Sequence, residues 1–211
     1  MMLSFLRWLG ATVGKVFYRL KIYDNHKVPE TGRVIIAGNH TAWFDIVGTW
    51  LTTKRRCYIM VKDSIYKHKI FKGFLQSVNT VPVKRGRLDR EAYDRTVELL
   101  EAENAFIIFP EGTRNKNTGM LEFKDGTARF ALTTGSPIVP VALYNFKYIL
   151  ASFPWTKKTA ILVGDIIQVE KLPDDADHRM VTEATRELTA KLSQTINDLY
   201  SKLEKMRENE V

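Results

Sequence analysis

Two short stretches carry residue types that can do chemistry together. Asn39-His40-Thr41-Ala42-Trp43-Phe44-Asp45 supplies an imidazole with a carboxylate five residues on. Phe109-Pro110-Glu111-Gly112-Thr113-Arg114 supplies a carboxylate, a glycine, a hydroxyl and a guanidinium. A neutral imidazole takes the proton from an attacking hydroxyl, and a carboxylate on its far nitrogen fixes the tautomer and stabilises the imidazolium that forms. On an unbroken helix a spacing of five is awkward, because i and i+4 share a face more nearly. Pairing His40 with Asp45 therefore requires a turn at His40 that leads into a helix carrying Asp45. The alternative, His40 capping a strand end with Asp45 on a solvated face, stays open on this stretch alone. In the second stretch Arg114 can grip a phosphate through two parallel hydrogen bonds and Thr113 can donate a third. Gly112 lets backbone approach a ligand closely, and Glu111 can steer a cation or a substrate hydroxyl. A polar turn after a strand is the competing account.

Each stretch follows an apolar run, Val34-Ile35-Ile36-Ala37 in one case and Ala105-Phe106-Ile107-Ile108-Phe109 in the other. Continuous runs of this kind read as strands of a sheet covered on both faces. Ligands of such sheets collect at the carboxyl ends of the strands. The expected fold is a single α/β domain with a mostly parallel central sheet flanked by helices. The two stretches would face each other across one crevice, a base on one side and an anion clamp on the other. Around them the patterning predicts helices over 44–53, 64–76, 89–103 (capped by Asp89) and 178–207, the last entered from Asp174. Further strands are expected at 57–61, 78–83, 136–141, 159–163 and 166–169. Lys54-Arg55-Arg56 would close the first of these helices with cations at its C-terminus.

The chain has 211 residues, 45% of them hydrophobic and 27% charged, which are globular values. A net charge of +8 points to an anionic partner, either a membrane surface or a phosphorylated substrate. No zinc-finger or RNP-type pattern accompanies it, so nucleic acid is not expected. The single cysteine, Cys57, excludes a disulfide within the chain and fits a reducing compartment. His26, His68 and His178 lack partners at ligand spacing, so no metal site is expected. Residues 1–27 read as an amphipathic membrane-association segment. Arg7, Lys15 and Arg19 step by multiples of four along one helical face, and Trp8 and Phe17 lie among the apolar positions. The competing account is an ordinary helix packed on the domain. No stretch there approaches the ~18 uncharged residues that span a bilayer, and no signal-peptide core is evident. Residues 28–211 would form the main domain.

Taken together and in this order, the His40–Asp45 stretch and Phe-Pro-Glu-Gly-Thr-Arg resemble the motifs of the glycerolipid acyltransferases, most nearly the bacterial members that act on 1-acyl-glycerol-3-phosphate. The resemblance implies transfer of a fatty acyl group from acyl-CoA or acyl carrier protein to the hydroxyl of lysophosphatidate, giving phosphatidate. It implies no cofactor beyond the acyl donor, and a peripheral or monotopic place on the cytoplasmic side of the cell membrane. It makes His40 the base and Asp45 its orienter. Arg85, which follows Pro82-Val83-Lys84, matches a family arginine that contacts the substrate phosphate, although Lys84 and Arg87 are close rivals for that position. Lys124 matches a family Phe-Lys-x-Gly segment and would join Arg114, Glu111, Gly112 and Thr113 in binding substrate. The segment Ser136 to Val141 resembles a further family block, lining a pocket or simply packing the core. Backbone N–H groups at Gly112 are candidates for an oxyanion site. No Gly-x-Ser-x-Gly elbow is present, which favours direct transfer over an acyl-enzyme. Rival readings are another acceptor (glycerol-3-phosphate, a different lysophospholipid or a glycolipid), a metal-dependent phosphoesterase, and a non-catalytic membrane-surface module.

Overall fold

The computed structural model describes residues 2–64, 79–84, 89–115, 117, 119–149 and 158–209. Its helices are α1 (Met2–Tyr18), α2 (Phe44–Leu51), α3 (Arg90–Glu101), α4 (Gly126–Thr134) and α5 (His178–Glu208). Its strands are β1 (Lys21–Tyr23), β2 (Val34–Gly38), β3 (Cys57–Lys62), β4 (Thr80–Val83), β5 (Ala105–Ile108), β6 (Ile138–Tyr144) and β7 (Ala160–Val163). They form one sheet in the order β1-β7-β6-β2-β5-β3-β4, parallel throughout except for the antiparallel β6–β7 pair. The expected α/β domain is therefore what the chain builds. All but the first residue of the helix expected over 64–76, and the substrate residue Arg85, lie outside the described residues.

Period-two alternation in the strands feeds two cores. Val34 and Ile36 of β2 point into one, with Phe44, Ile46, Trp50 and Leu51 of α2 packed against it. Ile35 and Ala37 point into the other, with Leu99 and Leu100 of α3, Phe130 and Ala131 of α4, and Leu192 and Ile196 of α5. Because both faces are covered, β2 and β5 are buried at every residue, as their unbroken apolar runs required. Asp89 caps α3 as expected, accepting from the Ala92 N–H. The cap of α5 is Asp177, which accepts from the Met180 N–H at 2.7 Å, while Asp174 pairs with Lys171 at the surface.

Four expectations change. First, the basic residues expected on one face of α1 are split up. Arg7 lies half-buried, its guanidinium 4.8 Å from the Trp50 ring and donating to the Arg55 carbonyl. Arg19 falls past the helix end at φ 49°. Gly10 brings α1 close to Val47 of α2. The outer face of α1 is apolar instead, with Trp8 60% exposed and Leu9, Val13 and Val16 also exposed. Second, the sheet begins at Lys21, upstream of residue 28, because Lys21–Tyr23 pairs with Ala160–Leu162. Third, 166–169 is not a strand and makes a single bridge, Ile138 to Ile167. Pro140 explains it: a proline inside β6 has no N–H to extend a ladder on that edge. Its carbonyl takes the Gly164 N–H at 2.8 Å, and the chain then leaves the sheet, the Leu172 N–H meeting the Leu132 carbonyl of α4 on the way to α5. Arg55 also differs from expectation. Its guanidinium gathers the carbonyls of Pro29, Thr31, Gly32 and Glu103, fastening the loop that enters β2.

Candidate active site

Strand β2 pairs with β5 on one side and β6 on the other, Ala37 against Ile108 and Gly38 against Val141. The chain after β2 and the chain after β5 therefore emerge side by side at the carboxyl edge of the sheet. Asn39 ends β2 by mimicking another residue of the strand. Its amide donates to the Leu143 carbonyl at 3.0 Å and accepts the Leu143 N–H at 2.8 Å. That exchange aims the next residue, His40, out of the sheet.

His40 Nδ1 stands 3.0 Å from Asp45 Oδ2. Asp45 is fully buried in the first turn of α2. Its carboxylate also accepts the backbone N–H groups of Thr41 and Ala42, reaching back over the turn as a first-turn acid does in a capping box. The turn-then-helix arrangement that a spacing of five demanded is thus present, and the solvated-face alternative for Asp45 falls away. A carboxylate can only accept, so Nδ1 carries a hydrogen, and in the neutral ring Nε2 is then the nitrogen with the lone pair. The ring stacks on Phe109, centroids 4.3 Å apart and planes 19° apart. Packing on one face and a charge-assisted hydrogen bond at one edge fix the orientation of the ring.

The second stretch braces the first. Glu111 Oε1 accepts the His40 N–H at 2.7 Å, and its Oε2 accepts the Leu121 N–H at 3.2 Å. Expected to face substrate, this carboxylate is turned inward and holds the turn that carries the base. Burial pushes its carboxyl above the ordinary carboxylate range, and the two backbone donors pull the other way. Beside it, the Asn115 N–H donates to the His40 carbonyl at 2.7 Å. Gly112 sits at φ 65°, in the left-handed region that glycine tolerates. Its N–H closes a turn onto the Phe109 carbonyl at 2.9 Å, so the oxyanion role expected of that group is taken by the fold. A Cβ at Gly112 would lie 3.0 Å from Lys124 Cδ, so the lysine stem runs directly over the turn.

Thr113 and Arg114 are exposed, as is Lys124. The Arg114 guanidinium lies over the Trp43 ring, Cζ 4.4 Å from the centroid. His40 and Arg114 thus belong to two loops joined by Glu111 and Asn115, with Arg114 stacked on Trp43 three residues after His40. Val139, Pro140 and Val141 are wholly inside β6, which is core packing. Asn39, Phe109, Asn115 and Trp43 were not expected to matter. Asn39 carried the clearest signal, a polar side chain able to copy backbone pairing just where an apolar run ends. Among the described residues no three His, Cys, Asp or Glu side chains gather into a group able to hold a metal ion.

This geometry can be set beside known proteins. The chain is 30% identical over 129 residues to a 1-acyl-sn-glycerol-3-phosphate acyltransferase of Borreliella burgdorferi, covering 60% of this chain and 52% of that one. A Haemophilus influenzae protein of the same name is 31% identical over 144 residues, 64% of this chain and 58% of its own. The Homo sapiens 1-acyl-sn-glycerol-3-phosphate acyltransferase beta is 29% identical over 182 residues, 81% and 62%. The chain therefore spans between half and two thirds of the length of these relatives. The crystal structure of the 1-acyl-sn-glycerophosphate (LPA) acyltransferase PlsC from Thermotoga maritima shares the fold. It matches with a TM-score of 0.69 at 19% identity, covering 91% of this chain and 78% of that one. The family model described as Acyltransferase matches residues 19–144, a span that runs from the end of α1 through β6 and holds both His40–Asp45 and Phe109–Arg114. By that match the chain belongs to the Acyltransferase family.

Proposed function

We propose that the chain transfers a fatty acyl group from acyl-CoA or acyl carrier protein to the free hydroxyl of lysophosphatidate, forming phosphatidate. The observation that carries this reading is a buried Asp45 fixing His40 Nδ1 at 3.0 Å, beside a loop that presents Arg114. The names of the relatives supply the acceptor. His40 Nε2 takes the proton of the acceptor hydroxyl as its oxygen attacks the thioester carbonyl carbon. The C–S bond then breaks, and the departing thiolate takes the proton back from the imidazolium. Asp45 stabilises that imidazolium and holds its tautomer. Arg114, with Lys124 and Arg85, grips the acceptor phosphate and turns a bimolecular encounter into an oriented one. Glu111 keeps the base loop in place.

The reaction takes place at the cytoplasmic surface of a membrane. Leu9, Val13 and Val16 of α1, Val47 of α2 and Trp43 at its N-cap are all exposed apolar side chains, and Gly10 meets Val47 where the two helices approach, an arrangement suited to the interface. A net charge of +8 favours anionic lipid. No helix of the described residues is long and apolar enough to cross a bilayer. The test is to incubate purified protein with labelled oleoyl-CoA and a panel of lysophospholipids, glycerol-3-phosphate and glycolipid acceptors on vesicles, and to identify products by mass. Labelled phosphatidate is the expected product. Acylation of a different acceptor in preference, or of none, would overturn the assignment.

A further inference from the structure

Among the described residues, no hydrogen bond or ion pair engages the Arg114 guanidinium; what holds it is the face of Trp43, 4.4 Å from Cζ to ring centroid. Trp43 occupies the N-cap position of α2, three residues after His40. With Val47 and Trp50 it lies on one helical face, at steps of four and three. Helix α1 runs along the lower part of that face, Gly10 approaching Val47 and Arg7 lying over Trp50, and Val47 stays partly open. Trp43 stands at the other end and is 51% exposed. A half-exposed tryptophan in contact with an arginine does something other than fill the core.

We propose that Trp43 is the positioning residue for Arg114, a reading that rests on the acyl transfer described above. An arginine side chain has several freely rotating bonds, and an exposed one loses that freedom when it closes on a ligand. Stacking on an aromatic face confines the guanidinium to a plane while leaving its N–H edges free. Those edges are what make the paired hydrogen bonds to phosphate. The backbone that carries the ring is held, because the turn before it is tied to Asp45 through the N–H groups of Thr41 and Ala42. One short segment, 40–45, therefore carries the base, its orienter and the platform for the anion grip. Base and grip are set relative to each other by a single turn of chain.

The experiment compares wild type, Trp43→Phe, Trp43→Leu, Arg114→Ala and the Trp43→Leu/Arg114→Ala double variant on vesicles carrying lysophosphatidate. Leucine keeps apolar bulk for lipid contact but has no π face, whereas phenylalanine keeps the face. Trp43→Leu is expected to raise the acceptor KM about threefold to tenfold with little change in kcat, and Trp43→Phe to recover most of the loss. In the Arg114→Ala background Trp43→Leu is expected to add nothing, since its effect runs through the arginine. Additive losses, or equal losses for the Leu and Phe variants, would overturn the proposal. A second readout needs no turnover. The Arg114 Nε–H resonance, assigned by its disappearance in Arg114→Ala, is expected to sit at a ring-current-shifted position in wild type and to move in Trp43→Leu. The Kd for sn-glycerol 3-phosphate read at that resonance should weaken by the same factor. A wild type that binds this probe but acylates nothing would sink the proposed function alone. An unmoved resonance or an unchanged Kd would sink the positioning role.

Discussion

The site has an inner wall and an outer rim, and the two are built by opposite means. On the inner wall Asn39, His40, Asp45 and Glu111 are all buried, and their side chains are committed to partners within 3.2 Å. On the rim Thr113, Arg114 and Lys124 are exposed, and contacts with a ring face and a glycine turn stand in for hydrogen bonds. A base must be held in one tautomer and one direction, so the chain surrounds it with polar groups that cannot move without losing partners. An anion grip has to meet a ligand from solvent, so its hydrogen-bonding edges stay unspent. Changes to the wall should therefore register in kcat or in stability, and changes to the rim in acceptor affinity.

The largest effect is expected at the centre of the wall. His40→Ala should lower kcat by about 10² to 10⁴-fold with the fold intact, because Glu111 holds the backbone N–H of residue 40 and not its ring. Product formation followed by mass and the urea midpoint together check this. Activity near wild type would remove the wall from the chemistry. Asn39→Ala comes next: it strips partners from the buried N–H and C=O of Leu143, at a cost of about 2–4 kcal/mol in unfolding free energy by urea titration. A cost under about 1 kcal/mol would show that the wall tolerates loss of its brace. On the rim, Arg114→Ala should raise acceptor KM about tenfold to a hundredfold while leaving the urea midpoint alone, since a charge-assisted pair is worth ~1.5–3 kcal/mol. A matching fall in stability would mean that the rim is structural after all. Lys124→Ala should be the mildest, about twofold to fivefold in acceptor KM, a single exposed charge contributing little.

Much of this was legible before any coordinates. The unbroken apolar runs of β2 and β5 announced a doubly covered parallel sheet, and the spacing of five between His40 and Asp45 could be met only by a turn entering a helix. What stayed hidden depends on partners far away in the chain. Lys21–Tyr23 is too short to show a period, and it is a strand only because β7 lies beside it. The apolar run at 166–169 looked like another strand, but strand formation needs an edge able to donate, and Pro140 removes it. The inward turn of Glu111 could not be read because its partners are backbone N–H groups, which every residue has. In α1 the sequence period was right and the direction was not. Three basic residues at multiples of four suggest a wet face, yet Arg7 points inward because the Trp50 ring and the Arg55 carbonyl receive it.

Near the end of α5, the buried Arg207 donates to the Arg19 carbonyl at 2.9 Å, joining positions 188 residues apart just where α1 hands over to β1. The same junction is tied by the Thr159 N–H, which donates to the Tyr18 carbonyl, while α1 beyond it leaves Trp8, Leu9, Val13 and Val16 exposed. A helix fastened at one end with an uncovered apolar face is the element expected to open first. Native-state hydrogen exchange should then show amides of Met2–Tyr18 exchanging well ahead of those in β2, the opening expected of a segment that comes and goes while the sheet stays shut. Equal protection of the two would mean that α1 belongs to the same cooperative unit as the sheet.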